Sequence, residues 1–523
     1  MILHFVCEST FKGHPKGLVA AALSNMGERF GYYIMNAVLL LFLVSKFGLS
    51  DSTAGVIYSV FYCAIYVLSL VGGIIADRSQ NYKATIQSGL IVMALGYILL
   101  AIPITATAGN QVWLLPFTCL ALAFIAFGNG LFKGNLQAIV GQMYDNLEEE
   151  AAKQGEEALK IARSKRDSGF QIFYVFINVG GLIAPFVAPL LREWWLKVNG
   201  FVYNAKLPEL CHKVIDGTIG ERMADYESLS QAATINNGIF TPEAYLEVFN
   251  QGVHYSFVAS VAAMVISLII FLTCKKMFPN PAKKENKVVQ NYSVEEKQMM
   301  ATEIKQRMYA LFAVLGIAVF FWFAFHQNGQ SLSLFARDFV KTDAIAPEIW
   351  QAVNPFFVIV LTPIIMWIFG ALAKRGKEIS TPRKIAIGMF IAGLAYLFLM
   401  ILSLVKGYPS GEEFRSMEES VASNMKSDLW VMFVLYFFLT VAELFISPLG
   451  LSFVSKVAPK NLLGLCQGLW LGATALGNLL IWIGPVMYNA WPIWACWAVF
   501  LGVCLLSMCI MLVMLRWLEE VTK

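Results

Sequence analysis

The chain has 523 residues, of which 58% are hydrophobic and 14% charged, with a formal net charge of +4. A soluble globular chain carries roughly 25% charged residues, so the composition excludes an ordinary water-soluble domain. It points instead to a polytopic membrane protein whose small positive charge gives no argument for a nucleic-acid partner.

Runs of about 20 apolar residues predict transmembrane helices. Twelve are expected, near 20–45, 54–76, 84–105, 112–143, 168–190, 253–274, 308–336, 351–373, 383–405, 429–455, 462–486 and 490–515. The opening MILHFVCESTFKGHPKG has an apolar run too short for a signal peptide. With the N-terminus inside, the cytoplasmic loops hold most of the Lys and Arg, among them Arg78, Lys83, Lys153, Arg166, Lys275, Lys276, Lys283, Lys284, Lys287, Arg375 and Lys377. The opposite short loops hold few, such as Lys46, Arg337, Lys341 and Arg415. This asymmetry predicts that both termini are cytoplasmic. The nine cysteines are scattered, only Cys211 lies in a large external segment, and no disulfide framework or metal-ligand spacing is visible.

Three polar segments interrupt the spans. DNLEEEAAKQGEEALKIARSKRD at 145–167 reads as a charged, helix-like insert. A long external segment covers about 192–250 and begins REWWLKV. The third, residues 275–307, is a cytoplasmic linker. The expected domains are therefore an N-terminal six-helix bundle at 1–274 and a C-terminal one at 308–523. A weak repeat supports the division: GGIIADRSQNYKATI follows the second span and FGALAKRGKEISTPRKIAI the eighth. Duplicated six-helix halves are a common construction of secondary transporters, with the substrate near the midplane.

Ionisable groups inside a membrane are expensive and mark functional sites. Here they are Glu28 and Arg29 in SNMGERFGYY of span 1, Lys133 in span 4, His326 in span 7 and Glu443 in span 10. Glu28 and Arg29 are separated by about 100° around a helix, so they can meet different partners. A structural ion pair that locks helix packing is the alternative. Arg29 and Lys133 form a positive pole in the first half and Glu443 a negative pole in the second, which suits a zwitterion whose binding bridges the halves. Buried carboxylates and imidazole also suit coupling to protons.

GERFGYY at 27–33 resembles the span-1 motif ExxERFxYY of the proton-coupled oligopeptide transporters, a family of the major facilitator superfamily. GNGLFKGN at 128–135, FQIFYVFINVGGL at 170–182, FFWFAFHQ at 320–327, NPFFVIVLTP at 354–363, AELFISPLGLSFVSKVAP at 442–459 and GLWLGATALGN at 468–478 resemble further signatures of that family. The likeness covers most of the chain outside the long external segment. It implies the all-α, twelve-helix major facilitator fold and import of di- and tripeptides by proton symport. It also implies that Arg29 and Lys133 face the peptide carboxylate, that Asn178, Asn354 and Glu443 hold the amino end, and that Tyr33, Tyr66 and Trp470 line side-chain pockets. Packing roles for Asn178, Tyr66 and Trp470 stay open. Pro355, Pro363 and Pro448 are expected to break helices near a gate.

The chain departs from the family at several places. The first Glu of the motif is Asn25, which cannot carry a proton, so Glu28, His326 and Glu443 are the proton-coupling candidates. Asn36 and His326 stand where the family often has an Arg and an acid that pair in a gate. Both replacements can be neutral, so closure by a neutral hydrogen bond or packing is expected, with His326 either sensing pH or serving only as a neutral hydrogen-bonding residue. Gly134 replaces a usual Pro, and Ser79-Gln80-Asn81 alters the loop signature while keeping Asp77 as a gate residue. Three functions compete: a proton-coupled peptide importer; the same fold carrying another anionic or zwitterionic solute, or without proton coupling; and a nutrient sensor working through the 192–250 segment. No nucleophile–base pair, metal cluster or phosphate-cradling loop argues for an enzyme or a cofactor. The expected partners are small peptides, protons and the lipid bilayer, with a functional monomer in a bacterial inner membrane.

Overall fold

The computed structural model describes residues 13–107, 109–235, 238–279, 294–341, 346–375, 379–457 and 463–521. Lys283, Lys284, Lys287 and Lys377, and with them the middle of the expected linker, lie outside the described residues. Helices dominate. In chain order they are α1 Gly17–Phe47, α2 Asp51–Ser79, α3 Tyr82–Ala101, α4 Gln111–Ala152, α5 Glu156–Val198, α6 Leu207–Ile215, α7 Met223–Ala232, α8 Pro242–Thr273, α9 Val294–Phe325, α10 Ser331–Phe339, α11 Val353–Lys374, α12 Thr381–Lys406, α13 Gly411–Ser416, α14 Glu419–Met425, α15 Trp430–Val457, α16 Leu463–Leu480, α17 Ile483–Ala490, α18 Ile493–Val513 and α19 Leu515–Val521. Twelve segments among the described residues are long and apolar enough to cross a membrane, and each corresponds to one expected span.

Local chemistry sets the ends of these helices. Asn81 caps α3 by accepting from the Ala84 amide at 3.1 Å. Gly407 closes α12 in the left-handed region at φ +65°. The expected insert at 145–167 is not a separate element. It forms the ends of α4 and α5, which meet at Gly155. With 42 residues, α4 is about 63 Å long at 1.5 Å per residue, about twice the thickness of a hydrocarbon core, so its charged end has no need to lie in lipid.

Two expectations about breaks change. Span 7 is interrupted: α9 stops at Phe325, His326–Gly329 form a 3₁₀ turn, and α10 restarts at Ser331. The prolines do not break their helices. Pro355 sits in the first turn of α11, where its missing N–H costs nothing, and α11 and α15 run on through Pro363 and Pro448.

Contacts group the chain into two compact units. The first is Met1–Phe42, Val67–Asn199 and Glu247–Lys284; the second is Leu43–Tyr66, Gly200–Leu246 and Glu285–Lys523. Within the first, α3 packs along α4, and α4 along α5. Within the second, α12 packs against α15 and α18, and α9 against α16. The core there is aromatic, with Trp497 edge-on to Phe335 at 5.7 Å and Tyr396 stacked on Phe500 at 5.1 Å. The described residues of the 192–250 segment are folded. Its residues 200–246 carry α6 and α7, an isolated bridge from Phe201 to Thr234, and His212 Nε2 within 2.7 Å of the Ser45 carbonyl oxygen.

Candidate substrate and proton site

In the first unit, close approach of helices positions the charged stretch of α1. A Cβ on Gly31 would lie 2.7 Å from Met264 Cε and 3.2 Å from the Ser260 carbonyl of α8, and a Cβ on Gly180 of α5 would lie 2.9 Å from the Met26 carbonyl. Such small-residue faces let membrane helices touch at the backbone. Ser24 and Ser267 hydroxyls meet at 3.0 Å on the same face as Gly31. These contacts set the rotation of α1 and carry Glu28 and Arg29 inward.

Glu28 is fully buried and Arg29 is 6% exposed. The adjacent residues grip each other instead of turning to different partners: Arg29 Nε donates to Glu28 Oε2 at 2.5 Å and Nη2 to Oε1 at 2.9 Å. Asn129 of α4 adds a third donor, Nδ2 to Glu28 Oε1 at 2.6 Å. Lys133, one turn further along α4, lies in the field of both Arg29 and Glu28. The Arg29 guanidinium also sits 5.0 Å from the centre of the Tyr32 ring. Tyr33 packs edge-on to Tyr32 at 5.5 Å, and the Tyr32 hydroxyl donates to Asn36 Oδ1 at 3.4 Å. Asn25 is buried in the turn before Glu28. Asn178 donates to the Tyr174 carbonyl of its own helix at 2.9 Å. Asp77 is exposed at the end of α2 and accepts from the Tyr82 hydroxyl, while Gln80, at φ +50°, donates back to the Asp77 carbonyl at 2.5 Å.

In the second unit, Asn354 of α11 donates to Glu443 Oε2 of α15 at 2.8 Å and reaches Thr440 Oγ1 at 3.0 Å. Glu443 and Thr440 are three residues apart and share a helix face, so one amide serves both. His326 sits in the 3₁₀ turn of span 7. It bonds Asn478 Oδ1 through Nδ1, stacks on Trp322 at 4.8 Å and meets the edge of Tyr62 at 4.9 Å. Tyr58, Tyr62 and Tyr66 form a ladder along α2 with ring centres 5.7 and 5.9 Å apart. Trp470 is 4% exposed, and its ring lies so close to Gly450 of α15 that a Cβ there would come within 2.0 Å of it.

Sequence reasoning missed a second charged cluster. Asp51, at the start of α2, and Arg337 and Asp338, at the end of α10, are buried together, and Arg415 of α13, with its side chain 13% exposed, joins them. Arg337 Nε donates to Asp338 at 2.8 Å, Arg415 Nη1 reaches Asp338 at 3.0 Å and Asp51 at 3.4 Å, and the Tyr488 hydroxyl donates to Asp338 at 3.0 Å. Arg415 Nε also lies 3.4 Å from Glu209 of α6, and the carboxylates around it hold its guanidinium well above the usual arginine range against the opposing effect of burial. Arg192, in REWWLKV, is likewise buried, 5.0 Å from the Phe249 ring centre.

The comparisons with known proteins agree with this architecture. The family model of the POT family matches residues 83–296 and 282–493. The chain is 27% identical to the peptide transporter YePEPT of Yersinia enterocolitica subsp. palearctica, over 90% of this chain and 87% of the relative. It is 27% identical to a dipeptide and tripeptide permease B of Edwardsiella piscicida, over 89% of this chain and 85% of the relative. The crystal structure of peptide transporter POT in complex with sulfate superposes with a TM-score of 0.69 at 21% identity, covering 99% of both chains. A POT family transporter in complex with 5-aminolevulinic acid does so with a TM-score of 0.69 at 20% identity, again over 99% of each. The fold is the twelve-helix fold of the major facilitator transporters, and the chain belongs to the POT family.

Proposed function

We propose that this protein is a secondary transporter importing di- and tripeptides together with protons. The relatives named as peptide transporters support that reading. The observation that carries it is the division of charge between the two units: Arg29 and Lys133 with Glu28 in the first, and Glu443 held by Asn354 in the second. In this reading Arg29 and Lys133 take the peptide carboxylate. Asn354, Glu443 and Asn178 take the amino end, and Tyr33, Tyr66 and Trp470 bound the side-chain pockets. Glu28, His326 and Glu443 are the groups that exchange protons, and Asn36, Asp77 and His326 belong to the gates. The protein performs no covalent chemistry on its substrate, works as a monomer, and sits in a bacterial inner membrane with both termini in the cytoplasm, as the distribution of Lys and Arg supports.

Thermal unfolding of the purified protein with added dialanine tests the reading. A ligand that binds only the folded state, at 100 times its Kd, stabilises by about 2.7 kcal/mol. Wild type should melt higher with dialanine, and Arg29→Gln and Glu443→Gln should show a clearly smaller response. Indifference of wild type to every di- and tripeptide would refute the peptide site.

A further inference from the structure

Glu28 lies in a small, buried polar cluster. The charged and titratable groups facing it are Arg29 of α1, Tyr97 of α3 and Lys133 of α4. Helices α5 and α8 meet this stretch of α1 with Gly180 and with Ser260, Ala263 and Ser267, which carry no charge. Asn129 is fully buried and spends its amide nitrogen on Glu28 Oε1 at 2.6 Å. Among the described residues, two buried polar atoms of the cluster have no hydrogen-bond partner: Asn129 Oδ1 and the Tyr97 hydroxyl.

An ionised carboxylate only accepts hydrogen bonds, whereas a carboxylic acid must also place one proton on an acceptor. A buried polar group left without a partner is costly. The Asn129 amide holds one group of each kind next to the carboxylate, and its acceptor is idle while Glu28 is ionised.

We propose that Asn129 is the positioning residue for the proton cycle of Glu28: its Nδ2 serves the carboxylate, and its Oδ1 receives the O–H once Glu28 is protonated. The proton joins and leaves Glu28 alone, and Asn129 gains and loses none. A turn of the amide about its last side-chain bond exchanges the two roles. With Asn25 in the place of an acid, this arrangement lets a single carboxyl in the span-1 motif change charge in a buried site. The inference rests on the proton-coupled reading above.

An infrared pH titration of the purified protein, free of substrate, tests it. The carboxylic-acid band that Glu28→Gln deletes reports Glu28. Asn129→Leu keeps the volume and removes both hydrogen-bonding atoms. The variant loses a charge-assisted bond to the ionised form and a weaker neutral bond to the acid, so the midpoint of that band should move upward by about one pH unit, a tenfold change in proton affinity. Asn129→Thr, which both donates and accepts, should stay near wild type. If Asn129→Leu does not fold, Asn129→Ala takes its place with the same expectation. In proteoliposomes, Asn129→Leu should also lose about tenfold in gradient-driven dialanine uptake. An unmoved midpoint in a folded variant, equal shifts in Leu and Thr, or a Glu28 band that does not titrate would each overturn the assignment. The infrared result decides Asn129 even if wild type carries no dialanine, an outcome that would count against the peptide reading alone.

Discussion

Arg337 holds Asp51 with a two-pronged grip, Nη1 to Oδ1 at 3.1 Å and Nη2 to Oδ2 at 3.0 Å, across 286 positions of sequence. Fork-to-fork pairing fixes orientation as well as distance. It ties the first turn of α2 to the last turn of α10, and with Asp338 and Arg415 it makes a compact group of two carboxylates and two guanidiniums, all largely removed from solvent.

Removing one partner leaves the others uncompensated, which costs about 3–5 kcal/mol for a buried pair. Asp51→Ala should therefore lower the melting temperature strongly, with Asp51→Asn milder because it keeps a polar group against Arg337. Melting of detergent-solubilised protein reads both. Equal stability in all three would mean the cluster contributes nothing to the fold.

The close approach of α1 and α8 gives a second expectation. At Gly31 a new Cβ would stand 2.7 Å from Met264 Cε, the movable end of a flexible side chain, but 3.2 Å from the Ser260 carbonyl, which is backbone. Gly31→Ala should be tolerated with a small loss. Gly31→Leu should overpack the interface by about 1–3 kcal/mol and tilt α1 enough to disturb Glu28 and Arg29. Expression yield and melting temperature, followed by dialanine binding, separate the two effects.

Glu443 has its donor supplied by Asn354. Replacing Glu443 with Gln keeps shape and removes charge. It should weaken dipeptide binding by about 1.5–3 kcal/mol, the worth of a hydrogen bond to a charged group. An N-acetylated dipeptide, whose amino end carries no charge, should bind wild type and Glu443→Gln equally weakly. Calorimetry on both proteins checks this, and a full additional loss for the blocked peptide would place the amino end elsewhere.

Cys211 reports on the 200–246 segment. Its side chain is fully buried on α6, and burial, with the Glu243 carboxylate adding, pushes the thiol up to about 12. The thiolate is the reactive form, so a maleimide should leave Cys211 unmodified near neutral pH and modify it after unfolding. Peptide mass spectrometry reads the site. Rapid labelling of the native protein would show that the segment opens.

Much of this was legible in the sequence because lipid makes the grammar simple. Apolar runs give spans, and a charge inside one stands out, which is how Glu28, Arg29, Lys133, His326 and Glu443 were found. What periodicity could not give was pairing. Neighbours on a helix diverge by about 100°, yet long side chains bend, and Arg29 reaches back to Glu28 with its terminal atoms. Asn129, Thr440 and Asn478 were invisible as functional neighbours, since uncharged polar residues are common in helix interfaces. Asp51 and Arg337 were hidden by their positions at helix ends, where a charge is ordinarily solvated. The break in span 7 was missed because HQNG carries no proline. The unbroken α11 and α15 show the converse, that proline need not break a membrane helix.

In the proposed mechanism, protons drive peptide uptake through Glu28. Dialanine uptake into proteoliposomes, with and without an imposed inward proton gradient, on wild type and Glu28→Gln, tests it most directly. Wild type should accumulate dialanine above equilibrium only while the gradient lasts, and Glu28→Gln should show gradient-independent exchange without accumulation. Uptake indifferent to the gradient, or accumulation that survives Glu28→Gln, would contradict it.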